Sequence, residues 1–369
     1  MKQKKCKIGI LTFHNTLNYG ASLQAYALCK YLRKIGADAE IIDYYCSAVE
    51  NQYKTKINHI IFGSESLKVK LKELIILPGM SKRRKEFNNF LDKYVSEKKY
   101  NKLNIYSAKE RYNYFIVGSD QIWNLDITND DMTFFIDFTD DGKKISYAAS
   151  IGNAEKIVKN KQVETLIKKF DSISLREKSA RKYISDFYEK EIYEVIDPTF
   201  LLNKDEWLSI EKPYSKLKTD EKYILVYAQG RPVYGMAFAK QLAKAHGYKV
   251  VVVHSFARKF NGAVNIRDAS LEEFIWLIHN AEYVITTSFH GVAFSLNLEK
   301  QFFVEIKDDR NPLNSRFSDL LAKVGLDNRY IDGTSVEKRF EDIDYREVKD
   351  KIYIFRENSR NFLQENLKG

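Results

Sequence analysis

Residues Ile285 to Gly291 place three hydroxyl side chains and one imidazole where an apolar segment gives way to a helical pattern. His290 falls in the first turn of that predicted helix, where the positive end of the helix dipole favours the neutral ring. A neutral imidazole can accept and return a proton near neutral pH, as a general acid or base does. Ser288 and Gly291 flank the ring and are candidates for contacting a bound molecule. A packing role, the usual one for a lone histidine, is the alternative.

A second polar cluster follows the apolar segment that ends at Val117. Asp120, Gln121 and Trp123 combine a carboxylate, an amide and an indole. Such a set can hold a sugar, because the indole stacks on the sugar ring while the polar groups bond its hydroxyls. The alternative for Asp120 is a local turn, since aspartate after Gly-Ser commonly bonds its own backbone.

Two further loops have the composition of anion sites. His14, Asn18 and Gly20 precede a helical pattern that starts at Ala21, and backbone N–H groups at a helix start favour an anion. Ordinary helix capping is the alternative there. Arg176 follows a short apolar strand and could clamp a carboxylate or phosphate with its planar fork. A surface network between Arg176 and Glu177 is the alternative for that loop.

Cations continue beyond the predicted strand at Gln301–Val304. Lys307, Arg310 and Arg316 lie in a polar stretch that we expect to supply positive charge to a bound anion. No histidine, cysteine or carboxylate cluster has the spacing of metal ligands, so we expect no metal site. Neither the dinucleotide-binding glycine fingerprint nor a P-loop occurs in the sequence.

Alternating strands and helices must position these loops. A strand at Lys7–Thr12, a helix at Ala21–Ile35 and a strand at Ala39–Asp43 form a βαβ unit, which implies a parallel sheet. We predict an α/β protein of two Rossmann-like domains, 1–202 and 203–343, whose parallel sheets face a central cleft. A final helix within 344–369 is expected to return to the first domain. Two helices separated by Pro78-Gly79 are expected within 68–96.

The composition is that of a globular protein, with 44% hydrophobic and 30% charged residues. The net charge of +10 suggests nucleic acid as a partner, but acidic residues are interleaved with the basic ones throughout. We therefore expect no nucleic-acid partner. The densest basic cluster, Lys82–Lys85, is interpreted as a solvated helix face. Attraction of an anionic substrate or of a membrane surface is the alternative.

No segment reaches the roughly 20 consecutive apolar residues that a transmembrane helix needs. The three cysteines, Cys6, Cys29 and Cys46, form an odd set without metal spacing, as in a reducing compartment. We expect a cytoplasmic protein, with peripheral contact at the inner membrane surface left open.

Taken together, seven segments resemble the polysaccharide pyruvyl transferase family. They occur in the family's order from about Lys7 to Arg329, although each alone is weak. The segments are His14–Tyr44, FIVGSDQIWN (Phe115–Asn124), SYAASIG (Ser146–Gly152), SLREKSA (Ser174–Ala180), DPTFLL (Asp197–Leu202), TTSFHGVAFSLN (Thr286–Asn297) and NSRFSDLL (Asn314–Leu321).

The resemblance implies a glycosyltransferase-B-like fold and transfer of the enolpyruvyl group of phosphoenolpyruvate to two hydroxyls of a sugar. Phosphoenolpyruvate is then a donor substrate, with no cofactor, and the acceptor is a glycan or lipid-linked oligosaccharide. The family's histidine matches His290, and the arginine of its Ser-x-Arg-Glu segment matches Arg176. Some members carry Arg-Leu before the histidine, where this sequence has Ser288-Phe289.

That chemistry assigns proton transfer to His290, with Asp120 as the second candidate, a base toward the sugar hydroxyl. Lys307, Arg310 or Arg316 would replace the missing arginine before the histidine. A nucleotide-sugar-dependent glycosyltransferase of the same fold and a non-catalytic glycan-binding protein are the alternatives. The sequence does not identify the acceptor sugar.

Overall fold

The computed structural model describes residues 7–51, 67–152, 154–306, 315–332 and 341–368. The chain divides into two compact units. The first comprises Met1–Tyr53, Leu91–Leu202 and Lys349–Gly369, and the second comprises Lys54–Phe90 and Asn203–Val348. Every helix in the described part of the chain is too short or too polar to cross a bilayer.

Each unit is built on one parallel sheet. The strands of the first sheet are β1 (Lys7–Leu11), β2 (Asp38–Tyr44), β3 (Val95–Tyr100), β4 (Tyr114–Val117), β5 (Lys143–Ala149), β6 (Ser172–Leu175) and β7 (Ile192–Glu194). Those of the second are β8 (Tyr223–Tyr227), β9 (Lys249–Val253), β10 (Val264–Ile266), β11 (Tyr283–Thr286), β12 (Gln301–Glu305) and β13 (Tyr330–Ile331).

Helices connect these strands on both faces. In chain order the α-helices are α1 (Tyr19–Lys34), α2 (Ser47–Glu50), α3 (Leu67–Leu91), α4 (Leu125–Thr128), α5 (Ala154–Lys159), α6 (Lys161–Ile167), α7 (Lys204–Leu208), α8 (Gly235–His246), α9 (Leu271–His279), α10 (Phe289–Asn297), α11 (Ser315–Val324) and α12 (Tyr345–Leu367).

The strand orders are β3-β2-β1-β4-β5-β6-β7 and β10-β9-β8-β11-β12-β13, and the registered pairs are all parallel. Both sheets therefore have the doubly wound order in which the first strand lies in the middle. Central strands such as β8 (YILVY) are buried along their whole length, because helices cover both faces of such a sheet. The predicted class of two Rossmann-like α/β units is confirmed.

The region between residues 67 and 100 differs from its prediction. Pro78 lies inside the single helix α3 instead of separating two helices. Val95–Tyr100 forms the edge strand β3, paired with β2, instead of the end of a helix. Its charged sequence (VSEKKY) lacks the apolar pattern of a central strand, which is acceptable at an edge, where one side meets water.

Helix α3 also belongs to the other unit. The expected first domain included residues 54–90, whereas the structure groups Lys54–Phe90 with the second unit. The contacts of α3 explain this grouping. Arg83 donates to Ser255 Oγ at 2.7 Å, Lys82 pairs with Asp268 at 3.5 Å, and Gly79 lies against Arg267.

The last helix, α12, packs on the first unit from residue 349 onward. Phe362 lies against Tyr193, with 5.1 Å between the ring centroids. Arg356 and Arg360 donate to the carbonyls of Phe200 and Leu201, at 2.6 and 2.7 Å. These bonds fix the segment that follows β7.

Gly118, at the end of β4, is required by both its conformation and its surroundings. Its φ is +127°, and a Cβ there would lie 2.0 Å from the carbonyl oxygen of Tyr147. Gly118→Ala should lower the free energy of unfolding by about 3 kcal/mol or more, because strain and overlap with fixed backbone add together. Denaturant titration measures the loss.

Gly36→Ala is the matched control for this prediction. Gly36 also has a positive φ, +92°, but nothing lies within 4 Å of the position that an added Cβ would take. Its substitution should cost only the conformational term, about 1–2 kcal/mol. Equal losses in the two variants would contradict the role given to the Tyr147 carbonyl.

Candidate functional site

The order of strands in each sheet reverses at one point. In the first unit the reversal lies between β1 and β4, and in the second between β8 and β11. Loops that leave neighbouring strands at such a point run in opposite directions, and the crevice beyond the carboxyl ends is where doubly wound proteins bind ligands. The loops singled out in the sequence after β1, β4 and β11 all leave strands that flank these two points.

A hydrogen-bonded bridge closes the reversal in the first unit. The buried amide of Gln24, on α1, accepts from Ser119 N at 3.0 Å and donates to Thr12 Oγ1 at 2.8 Å. The Thr12 hydroxyl in turn donates to the Ser119 carbonyl at 3.4 Å. The bridge ties the loop after β1 to the loop after β4 and fixes the backbone that carries Asp120.

Arg176 lies in a buried network of charges and not on the surface. Its guanidinium donates to Asp197 at 3.0 Å and to Glu177 at 3.4 Å, and lies 3.7 Å from Asp120. Ser150 Oγ donates to the same Glu177 oxygen at 2.6 Å. The structure thus brings together Asp120 and Arg176, which the sequence prediction treated as separate loops.

Burial by itself would lower the pKa of Arg176, but Glu177, Asp197 and Asp120 outweigh it and raise that pKa above its ordinary value. Three carboxylates surround one cation, so the cluster is rich in hydrogen-bond acceptors. Among the described residues, Glu177 Oε2 has no hydrogen-bond donor. Asp120 is the most exposed of the three carboxylates, with 12% of its side chain accessible. The cluster can therefore accept bonds from the hydroxyls of a ligand at Asp120.

The other predicted residues of the first unit have local roles. Asn18 caps α1, with its side chain accepting from Gly20 N at 3.0 Å. His14 is buried and places one ring nitrogen 3.2 Å from Asp43 and the other 3.3 Å from the Thr12 carbonyl. Gln121 is partly exposed and accepts from Asn124 Nδ2 at 2.8 Å. Of this set, Gln121 is open to a ligand and lies next to Asp120 in the chain.

Trp123 does not offer an open ring face. It is fully buried, stacks on Phe135 at a centroid distance of 5.4 Å and meets Phe170 edge-on. Its indole N–H donates to the Phe134 carbonyl at 2.9 Å. The expected stacking on a sugar has no room in this structure, because both the ring and the N–H are used by the core.

The reversal in the second unit is closed in a similar way. Thr286 Oγ1 donates to the Tyr227 carbonyl at 2.9 Å and accepts from Ser288 N at 3.0 Å. Gly291 fits closely over this threonine, since a Cβ at Gly291 would lie 2.2 Å from Thr286 Oγ1. The start of α10 is thereby fixed at the end of β11.

His290 occupies the first turn of α10, as predicted, and is buried. Ser288 precedes that helix, and its buried hydroxyl has no hydrogen-bond partner in the described part of the chain. Arg316 on α11 lies over Phe289, 5.9 Å from the ring centroid, and Phe289 meets His290 edge-on. The predicted residues Lys307 and Arg310 lie outside the described residues.

Glu305 is a site residue that the sequence reasoning missed. Its buried carboxylate accepts from the backbone N–H groups of Val233, Tyr234 and Gly235, at 2.7, 3.1 and 2.6 Å. These groups form the start of α8, in the first βα turn of the second sheet. Phosphates commonly bind at that turn in Rossmann units, and here the chain's own carboxylate is bound there. The signal was a glutamate at the very end of an apolar strand.

His254 directly follows β9 and is buried. Its Nε2 bonds Asn265 Oδ1 at 2.9 Å, and its Nδ1 accepts from Phe256 N at 3.0 Å. Burial lowers its pKa to about 4, and three nearby arginines act in the same direction. The neutral ring holds the loop after β9 in place.

Within the described ranges, no group of three or more histidine, cysteine, aspartate or glutamate side chains is arranged to hold a metal ion.

The model of one protein family, polysaccharide pyruvyl transferase, matches residues 18–305. The chain belongs to this family. The match begins after β1 and extends from Asn18 through Asp120, Arg176 and His290 to Glu305, and it includes the reversal between β8 and β11. His14 and Arg316 lie beyond its two ends. No curated protein matches this sequence.

Several solved structures resemble this chain in fold. UDP-GlcNAc 2-epimerase from Methanocaldococcus jannaschii is 11% identical, with a TM-score of 0.55 and 99% coverage of both chains. A UDP-N-acetylglucosamine 2-epimerase is 12% identical, with a TM-score of 0.50, covering 99% of this chain and 96% of the other. At this level of identity the likeness shows a glycosyltransferase-B-type fold of two Rossmann-like units and no more.

Arg176→Lys should lower the free energy of unfolding by about 3 kcal/mol or more, because one ammonium group cannot make all the bonds that the buried guanidinium makes to its carboxylates. Arg111→Lys is the matched control in the same unit. Arg111 makes a two-pronged bond to Glu40 but is one-third exposed, so its loss should cost about 1 kcal/mol at most. Denaturant unfolding of both variants measures the difference, and equal costs would contradict a buried network.

His254 should make the second unit sensitive to acid. Its folded pKa of about 4 lies below the ordinary 6.5, so the unfolded chain binds a proton first as the pH falls. Its contribution to the free energy of unfolding is complete above pH 6.5 and is lost progressively down to about pH 4. The loss amounts to about 2 kcal/mol at pH 5.

The measurement is hydrogen exchange of the second unit at pH 7 and pH 5, corrected for intrinsic rates. His254→Gln should reduce the pH-dependent loss of stability by that amount, whatever it costs at pH 7. An unchanged pH dependence in the variant would show that His254 is not the group responsible.

Proposed function

We propose that this chain is a phosphoenolpyruvate-dependent pyruvyl transferase that forms a pyruvate ketal on a sugar of a surface polysaccharide precursor. Two hydroxyls of the acceptor become the ketal oxygens, and phosphate is released. The observation that carries the proposal is the match to the pyruvyl transferase family over residues 18–305, which contains Asp120, Arg176, Ser288 and His290. The donor, the acceptor and the ketal itself belong to the proposal.

The reaction adds one proton to a carbon of the donor and removes one proton from each of two sugar hydroxyls. Protonation of the methylene carbon of phosphoenolpyruvate makes the neighbouring carbon electrophilic. One sugar hydroxyl then adds there and loses its proton. The bond to the phosphate oxygen breaks, and the second hydroxyl closes the ketal and loses its proton in turn. The protein must therefore hold an anionic donor and supply acid and base at neutral pH.

In the second unit we assign proton transfer to His290. It is buried in the first turn of α10, where its ring is held by the packing of Phe289. Ser288 is the residue just before that helix, and its hydroxyl has no hydrogen-bond partner among the described residues. It is positioned to donate to an anion at the same helix start. Lys307, Arg310 or Arg316 was expected to replace the arginine that some family members carry before the histidine. Of these three, Arg316 is among the described residues, and it lies over Phe289.

In the first unit we assign acceptor binding to the carboxylate cluster. Asp120 is its accessible member, and its φ of 66° is set by the neighbouring backbone, where Ile122 N and Ser150 N donate to its carbonyl. A fixed carboxylate can take a proton from a sugar hydroxyl, and Gln121 can bond a second one. Arg176 lies 3.7 Å from Asp120 and holds that carboxylate in place beside Glu177 and Asp197.

Glu305 supports this proposal over a nucleotide-sugar-dependent transferase. A diphosphate at the first βα turn of the second sheet would have to displace a buried carboxylate from three short hydrogen bonds. The donor proposed here needs no such turn, since Ser288 and the start of α10 can receive its anionic groups.

The proposal places the protein in the cytoplasm, where Cys29 and Cys46 stay as the free thiols that the structure shows. A lipid-linked oligosaccharide is the acceptor form that would bring it to the inner membrane surface, and the net charge of +10 is compatible with that contact.

Labelled phosphoenolpyruvate tests the function directly. The chain is incubated with the labelled donor and a panel of capsule- and exopolysaccharide-type fragments, and release of phosphate and label on glycan are measured. Glycan-dependent phosphate release with label transferred supports the proposal. Release of uridine diphosphate from a nucleotide sugar would replace it with a glycosyltransferase, and binding of glycan without either reaction would replace it with a glycan-binding protein.

His290→Ala should lower the turnover number at least about a hundredfold while the chain still folds, as loss of an acid–base group does. His279→Ala is the control. It removes a partly exposed histidine of the same unit that bonds Glu211, and should leave turnover within a few-fold. Donor-dependent phosphate release measures both. Turnover of His290→Ala close to that of the control would remove His290 from the mechanism.

A further inference from the structure

Three arginines from different parts of the second unit meet on one loop. This loop, residues 254–260, directly follows β9 and is called the β9 loop here. Arg83 of α3 donates to Ser255 Oγ at 2.7 Å. Arg267, just after β10, donates to the carbonyls of Phe256 and Ala257, at 2.9 and 2.8 Å. Arg231, after β8, lies over the ring of Phe260 at 4.5 Å.

The β9 loop is held rigid beneath these cations. His254 stacks on Phe256 and meets Phe260 edge-on, with centroid distances of 5.7 and 5.1 Å. Asn265 accepts from Phe260 N at 2.7 Å and from the His254 ring, and donates back to the Phe260 carbonyl at 3.0 Å. The guanidinium groups are therefore presented by a fixed frame and not by a free loop.

Two of the three arginines, Arg231 and Arg267, have no acidic partner in the part of the chain that the structure describes. There, neither Arg231 nor Arg267 has a carboxylate within 4.0 Å. Asp268, next to Arg267, already receives bonds from Lys216 and Tyr214 and pairs with Lys82. Burial without an acidic partner lowers the pKa of Arg267. An anion would relieve that cost.

The location is that of a ligand site. Arg231 lies in the loop after β8, and Gln229 in the same loop donates from its backbone N–H to Thr287 Oγ1 at 3.1 Å. The arginines therefore lie at the carboxyl ends of β8, β9 and β10, on the side of the sheet where α10 begins. Glu305 already occupies the helix start at α8, so an anion at the β9 loop meets Arg231 and Arg267 and not that helix start.

We propose that Arg231, Arg267 and Arg83 form a binding site for the phosphate group of an anionic substrate on the β9 loop. The anion class follows from the guanidinium cluster alone. That the substrate is phosphoenolpyruvate rests on the proposed function. Arg231 is the residue best suited to contact the ligand, since it is exposed and its described contact is an aromatic face, which leaves its N–H fork for a phosphate.

Titration calorimetry measures the binding of inorganic phosphate and of phosphoenolpyruvate to the full chain. The unchanged protein is compared with the variants Arg231→Gln and Arg267→Gln. Arg346→Gln is the charge-matched control, since Arg346 is exposed in the same unit and pairs with Asp344. Each site variant should bind both anions at least about tenfold more weakly than the unchanged protein, whereas the affinity of the control should change by less than about twofold. Thermal unfolding identifies a variant that has lost its fold, and Arg231→Gln keeps all hydrogen bonds of the β9 loop.

The outcomes separate this site from the proposed function. Weakened phosphate binding in a chain that neither binds nor consumes phosphoenolpyruvate would support the anion site and overturn the proposed donor. Normal binding of both anions by Arg231→Gln and Arg267→Gln, with phosphoenolpyruvate still consumed, would overturn the site and leave the proposed function intact. Failure of the unchanged protein to bind either anion would overturn both.

Discussion

The reversal of strand order in each sheet is the constraint on which the rest of the molecule depends. Where two neighbouring parallel strands send their connections to opposite faces, the backbone at their carboxyl ends loses its partners and must find others. Gln24 supplies them between β1 and β4, and Thr286 does so between β8 and β11. Each bridge fixes one loop against another and thereby the direction of the polar side chains beyond it.

The polar clusters at the carboxyl ends of the two sheets carry opposite charges. The first presents three carboxylates around one arginine, and the second presents arginines around a loop whose histidine is neutral. Acceptor-rich surfaces suit neutral polyols, whose hydroxyls donate hydrogen bonds, whereas guanidinium groups suit phosphates and carboxylates. The division matches a reaction between a sugar and a small anion.

Much of the scaffold was predictable because its strands are apolar runs of a length that only a buried strand fits. The strands predicted at Lys7–Thr12 and Gln301–Val304 begin where β1 and β12 begin and end within one residue of them. Helix α3 and strand β3 were not, because Pro78 is a poor guide to where a helix ends and an edge strand carries no apolar signal. Tertiary contacts decided both.

The polar loops were found for the same reason, since they follow those apolar runs. Their partners were not, because sequence spacing carries no information about them. Asp197 is 21 residues from Arg176, and Glu305 is 70 from Gly235. The prediction for Trp123 was wrong. Its polar neighbours in the sequence suggested an indole open to a sugar, whereas the ring stacks on Phe135 in the core.

The burial of the tryptophans has a consequence for spectroscopy. The three in the sequence, Trp123, Trp207 and Trp276, are all almost completely shielded from water. One lies in the first unit and two in the second, and none is part of a proposed ligand site. The tryptophan fluorescence of the native protein should therefore be blue-shifted and should change little when substrate binds. A red shift of that emission reports the unfolding of either unit. Ligand binding must be followed by heat or by a label, and the intrinsic fluorescence remains a clean signal for the fold.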